Sequence, residues 1–216
     1  MSFRLATGAE ARWTNAGAPR VVVCVNGGTA AEVQGTWSAS VEWLVRRLAA
    51  RLPGLGFLEV RYRTKSWHRL EECADDARAA LGAARAEDVD DVALLGFSMG
   101  GAVAVRVAAD PAVRHVIGLA PWLPPQLDLS PLDGRRLAIV HGSWDRGLPF
   151  LPGVSPELSR RGYERARARG VEAVRTVIPG AIHPIALRSP WGAAVPMPRA
   201  GRWEELVGAE LERFCA

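Results

Sequence analysis

The segment Gly96-Phe97-Ser98-Met99-Gly100-Gly101 carries the strongest chemical signal among the 216 residues. An apolar run from Val92 to Leu95 precedes it and a small-residue helical run from Ala102 to Ala109 follows, which places Ser98 on a tight strand-to-helix turn. Such a turn forces its serine into an unfavourable backbone conformation and lifts the hydroxyl above the sheet. The flanking Gly96 and Gly100 remove the Cβ atoms that would otherwise clash. The helix that begins there aims its free amides and positive end at the hydroxyl, with the amide of Met99 as the first donor to a developing negative charge. The chemistry indicated is nucleophilic attack by Ser98. With 22 glycines in the chain, a Gly-x-Ser-x-Gly match arises by chance about 0.1 times. The strand before it and the helix after it set this match apart from a Gly-rich structural turn.

A serine so placed needs a sheet beneath it, and the sequence supplies one. Short Val-, Leu- and Ile-rich runs, Val21 to Val25, Phe57 to Tyr62, Val92 to Leu95, His115 to Leu119, Leu137 to Val140 and Val174 to Ile178, read as buried strands. Helical periodicity fills the gaps: Ser38 to Leu52, about His68 to Ala84, Ser98 to Ala109, Ser155 to Arg169 and Arg202 to Phe214. In the first of these Val41, Leu44, Val45, Leu48 and Leu52 share a face while Arg46, Arg47 and Arg51 stay wet, and Ser38 or Ser40 caps it. This alternation predicts an α/β fold, a doubly wound and mostly parallel sheet with helices on both faces, spanning residues 1–216 as one domain. In such sheets ligands sit at the carboxyl ends of the strands. Two Pro-rich loops, Pro149 to Pro156 and Pro184 to Pro198, are expected to wall a pocket there.

With strand, elbow and helix in place, the chain resembles the α/β-hydrolase superfamily, whose triad follows the order serine, acid, histidine. The resemblance implies Asp145, in His141-Gly142-Ser143-Trp144-Asp145 after the Leu137 to Val140 strand, as the carboxylate, with Asp128 or Asp133 as fallbacks. It implies His183, in Pro179-Gly180-Ala181-Ile182-His183 after the Val174 to Ile178 strand, as the base. His141 is the runner-up, and His68 and His115 are weaker cases. The oxyanion hole implied is the amide of Met99 with that of Gly28, Thr29 second, because Asn26-Gly27-Gly28-Thr29 resembles the family's His-Gly-Gly segment. Asn26 departs from the usual histidine. The sixteen residues from Ala120 to Arg135 are too few for the helical cap of many members, so the site is expected to be open. Phe97, Trp122, Trp144 and Trp191 are expected to line a substrate pocket.

The implied activity is serine hydrolysis of a carboxylic ester or thioester through an acyl-enzyme on Ser98. Acyl transfer, amide or peptide cleavage by the same triad, and a silent binding module are the alternatives. No metal or organic cofactor is needed. The expected partner is a small molecule bearing an acyl group, and oligomeric state is left open. Composition narrows the rest. A net charge of +4 is spread along the chain rather than gathered in a stripe, Lys65 being the single lysine among 27 basic residues, so nucleic acid is not the expected partner. Three widely spaced cysteines without a CxxC pair argue against a disulfide framework or a zinc site. No apolar run approaches the roughly 20 residues of a membrane span, the N-terminus lacks a signal-peptide core, and a cytoplasmic protein is expected. A dinucleotide site would want GxGxxG after the first strand, where the chain has Asn26-Gly27-Gly28-Thr29 instead.

Overall fold

The computed structural model describes residues 2–147 and 153–216. The chain opens with β1 (Ser2–Arg4), β2 (Glu10–Thr14), β3 (Arg20–Val25) and β4 (Val33–Gln34), followed by α1 (Ala39–Arg51), β5 (Leu55–Arg61), β6 (Thr64–Lys65) and α2 (Leu70–Arg85). Next come β7 (Val92–Phe97), α3 (Met99–Val107), β8 (Val113–Leu119) and β9 (Arg136–Gly142). The C-terminal part holds α4 (Pro156–Ala168), β10 (Glu172–Ile178), the pair β11 (Ala186–Arg188) and β12 (Ala194–Pro196), and α5 (Ala200–Cys215).

Eight strands form one sheet in the order β1-β2-β5-β3-β7-β8-β9-β10. The six from β5 to β10 in this order run parallel; β2 joins β5 antiparallel and β1 joins β2 antiparallel. Every apolar run read as a strand falls on one of the six parallel strands, five of them extended by one to three residues, while the Phe57 to Tyr62 run starts two residues earlier and ends at Arg61. The central strands are buried on both faces. Along β3, Val21, Val23 and Val25 pack with α2, α3 and α4, while Val22 and Cys24 pack with α1 and α5. Continuous apolar strands therefore follow from the two helical layers, since alternate residues each meet a dry surface.

The helices form as their sequences dictate. Ser38 caps α1 by accepting from the Val41 amide at 3.3 Å, and Ser155 caps α4 with Pro156 at the first helical position. Val41, Leu44, Val45 and Leu48 are buried, and Arg46, Arg47 and Arg51 are exposed. After β3 the chain crosses to β5 on one side, and after β5 it crosses back to β7 on the other. The β3–β7 junction is thus the point where the winding reverses, and crevices form at the carboxyl ends of such strands.

Positions 120–135 between β8 and β9 contain only the 3₁₀ turn Ser130–Leu132, so no helical cap is inserted there. The Pro184 to Pro198 loop folds as the β11–β12 hairpin. Of the Pro149 to Pro156 stretch, positions 149–152 lie outside the described residues. Among the described residues no helix is long and apolar enough to cross a membrane.

Candidate active site

Ser98 sits at the reversal point, between the end of β7 and the first residue of α3, with φ 57° and ψ −118°. A non-glycine residue rarely adopts this region, and holding it there costs of the order of 1–3 kcal/mol. The surroundings over-determine it. The Ser98 amide donates to Leu119 O at 2.9 Å, and its carbonyl accepts from Gly101 N at 3.0 Å and Trp122 N at 2.8 Å. A Cβ on Gly96 would stand 2.3 Å from Gly100 O, and one on Gly100 would stand 2.5 Å from Val25 O and 2.7 Å from Asn26 O. Both glycines are required because backbone, not a movable side chain, occupies the space. Gly100→Ala is expected to lower stability by about 3 kcal/mol or more, read as a drop in the urea midpoint. An unchanged midpoint would mean that the elbow can spread from β3.

The loop after β3 runs against this turn. A Cβ on Gly27 would lie 3.3 Å from Ser98 Cβ, and one on Gly28 would lie 2.2 Å from Met99 Sδ and 3.0 Å from Trp67 Cδ1. Asn26 anchors the loop: its buried Nδ2 donates to Val60 O on β5 at 2.7 Å, and its carbonyl accepts from the buried Tyr62 hydroxyl at 3.2 Å. The asparagine therefore fastens the loop to the neighbouring strand. Asn26→Ala orphans the Val60 carbonyl and is expected to cost about 1–3 kcal/mol in thermal unfolding and to slow any turnover that depends on the loop. A variant with wild-type melting and rate would show that Tyr62 alone holds the loop.

On the other side of Ser98, the turn after β9 and the loop after β10 interlock. Ser143 N donates to Ile178 O at 3.0 Å, Trp144 N to Ala181 O at 2.9 Å, and Gly180 N to Ser143 Oγ at 2.9 Å. The result is a buried pair, His183 Nδ1 to Asp145 Oδ2, at 2.7 Å. Burial pushes the Asp145 carboxyl up, but the hydrogen bonds from His141 and then His183 outweigh it and hold it below the ordinary carboxylate value. An ionised carboxylate only accepts, so Nδ1 is the protonated nitrogen and a neutral His183 presents a bare Nε2. The segment beyond His183 is pinned to α1, where buried Ser40 Oγ accepts from Ile185 N at 3.0 Å and Ala186 N at 3.2 Å. Arg188 on β11 binds Glu42 of α1, and Arg12 of β2 bridges Glu42 and Glu59.

His183 stacks obliquely on Phe97, the neighbour of Ser98, with ring centroids 5.0 Å apart. Together with Ser38, Ser40, Pro184 and Leu187 they line an open cleft of about 250 Å³. No hydrogen bond joins Ser98 to His183 in this resting arrangement. Trp122 lies beside the elbow through its amide, and its ring stacks with Trp67 at 6.4 Å. Trp67 carries no signal of its own in the sequence, because its contact with the glycine loop comes only from folding. Trp144 and Trp191 point into solvent, 66% and 80% exposed, and neither lines the cleft.

The other candidates lie elsewhere. Asp128 binds Ser130, Asp133 pairs with Arg169, His68 is exposed, and His115 packs edge-on against Phe214. Burial raises the Cys24 thiol well above its ordinary value and Cys73 to about 11, so both stay protonated and poorly nucleophilic. Among the described residues no three His, Cys, Asp or Glu side chains gather as a metal cage.

The family model of the alpha/beta hydrolase family matches residues 22–212. The chain belongs to that family. A comparison with curated protein sequences finds no match. Among solved structures, this α/β hydrolase is similar to an alpha-beta serine hydrolase homologue from Coxiella burnetii, at 20% identity and a TM-score of 0.70, covering 98% of this chain and 96% of the other. Est1E from Butyrivibrio proteoclasticus, with ferulic acid bound, gives 15% identity and a TM-score of 0.69 over 100% and 99% of the two chains. A serine hydrolase without lid from Xanthomonas campestris gives 19% and 0.60 over 85% and 84%. At these identities the likeness concerns the fold.

Proposed function

We propose that this α/β hydrolase is a single-domain serine hydrolase that cleaves a carboxylic ester or thioester through an acyl-enzyme on Ser98, with Asp145 and His183 completing the triad. The observation that carries the proposal is the strained backbone of Ser98, held at φ 57° at the head of α3 beside Phe97 of the cleft, because a serine is kept in so costly a conformation chiefly where the strain is part of a site's chemistry. His183 Nε2 takes the Ser98 proton as Oγ bonds to the substrate carbonyl carbon. The carbonyl electrons move onto the oxygen, which meets the amides of Met99 and Gly28. Collapse expels the alcohol or thiol, which receives the proton from His183. Water then repeats the sequence on the acyl-enzyme, releasing the acid and restoring Ser98. Asp145 keeps the imidazole in its tautomer and stabilises the imidazolium. Catalytic hydrogen bonds of this kind often tighten only when substrate is present, so the resting separation of Ser98 and His183 fits the scheme.

The cleft walls Phe97, Pro184 and Leu187 favour a small substrate with a modest apolar acyl or alcohol group. Trp67 and Trp122 offer an aromatic wall beside the glycine loop, and ferulic acid in the similar Est1E structure makes aryl esters worth including. The test is labelling with a fluorophosphonate, mapping of the modified residue by mass spectrometry, and a p-nitrophenyl and aryl ester panel. Modification at Ser98 with ester turnover is expected. Modification elsewhere, or none, would sink the reading.

A further inference from the structure

His141 is wholly buried near the end of β9, and the scheme above gives it no task. Its Nε2 stands 3.0 Å from Asp145 Oδ2 and 2.9 Å from Val154 O. Both are acceptors, so Nε2 carries the hydrogen; it bonds to Val154 O and has Asp145 Oδ2 within reach as a second acceptor. Nδ1 is buried and has no partner among the described residues, which leaves it as the bare nitrogen of the neutral ring. A buried ring nitrogen without a partner is a cost, and an apolar side chain of similar size would avoid it.

The carboxylate oxygen that His141 meets is the same one that accepts from His183 at 2.7 Å. The other oxygen accepts from Val154 N at 2.9 Å, and a Cβ on Gly153 would stand 2.6 Å from it. Two donors therefore hold the two oxygens of Asp145, and His141 Nε2 closes on Oδ2 as a third N–H. The carboxylate's titratable or charged neighbours are His141 from β9 and His183 from the loop after β10; no arginine or lysine pairs with it among the described residues.

We propose that His141 is a positioning residue, donating Nε2–H to Asp145 Oδ2 so that the carboxylate is fixed in plane and shares its charge between two imidazoles. The inference rests on the serine-hydrolase reading. Two donors on one oxygen each receive less of its charge than one donor alone. His141 thus moderates the hold of Asp145 on the proton of His183, and the base is freed to act at lower pH.

The test uses ¹⁵N-histidine NMR of the resting protein and the pH dependence of kcat/KM on a p-nitrophenyl ester for wild type, His141→Phe and His141→Gln. The resting spectrum is expected to show His141 as the Nε2–H tautomer. His141→Phe removes the donor at similar volume and is expected to move the acid limb of the rate profile to higher pH by about 0.5 to 1 unit. His141→Gln keeps an amide donor at that reach and is expected to restore the profile. An acid limb unmoved or shifted to lower pH in His141→Phe, a glutamine variant that behaves like phenylalanine, or the Nδ1–H tautomer in wild type would overturn the proposal. Plain loss of packing would slow all pH values alike. If His141→Phe does not fold, the tautomer and the glutamine profile still decide. If the wild type has no Ser98-dependent turnover, the hydrolase reading fails, and the tautomer in Ser98→Ala protein still tests the His141 contact.

Discussion

Ser98→Ala is expected to abolish fluorophosphonate labelling and to reduce ester turnover by about 10⁴-fold or more, because without Oγ no acyl-enzyme forms and only the oxyanion amides and binding remain. Stability should hardly change. The Ser98 side chain makes no capping bond to α3, so alanine forfeits no contact and keeps the same strained φ of 57°. Ser98→Gly separates the two properties further: glycine adopts positive φ freely, and melting should rise in step with about 1 kcal/mol while turnover stays lost. A gain in stability on deleting the nucleophile is the signature of strain retained for function. Turnover that survives in both variants would show that another group attacks, and the reading built on Ser98 would fall.

The parallel sheet was legible because its inner strands are dry on both faces. Val21 to Val25 can be nothing else: five apolar residues, too short for a helix, ahead of a glycine pair. The elbow was legible for a related reason, since Gly96 and Gly100 face backbone atoms that leave no room for any side chain. The antiparallel edge was not read. In β2, Arg12 and Glu10 flank Ala11, a pattern indistinguishable from a polar loop until Arg12 meets Glu59 across the register with β5. Strands of this kind are specified by a partner more than forty positions away, and no local window contains it.

The site divided along the same line. Asp145 and His183 end adjacent strands, β9 and β10, and strand order alone brings their loops together. Side-chain direction in loops is another matter. Trp144 is one residue from Asp145, yet it points outward because its backbone is committed to Ala181 and the aspartate takes the inward position. Trp67 reaches the glycine loop only because Trp67 N donates to Thr29 O, a bond between distant turns. Asn26 illustrates the converse. It departs from the family's histidine, and its amide reaches Val60 and anchors the loop itself. A buried side chain is interpretable from its type only when its partners are known, and those partners came from β5.

Asp145→Asn is expected to cost about 10³- to 10⁴-fold in kcat with the fold retained. The wild-type carboxylate receives N–H donors on both oxygens, His183 on Oδ2 and Val154 on Oδ1, with His141 Nε2 also 3.0 Å from Oδ2. An asparagine has one oxygen, so its NH₂ must confront at least one of them. Turned toward His183 it meets two donors at once; His183 relieves the clash by moving its proton to Nε2, where it can no longer accept from Ser98. Turned toward Val154 it leaves that buried amide unpaired, at a cost of about 1–3 kcal/mol. Both orientations lower stability at neutral pH, and the loss has a pH signature. The folded Asp145 carboxyl lies below its ordinary value, so its stabilising contribution is full above the unfolded carboxylate range near pH ~4 and fades as pH falls through the folded value. The stability gap between wild type and Asp145→Asn should therefore be constant from pH 8 down to about pH 5 and narrow below pH ~4. A gap that instead widens in acid would mean that Asp145 is protonated in the resting protein, and the orienting role assigned to it would be wrong.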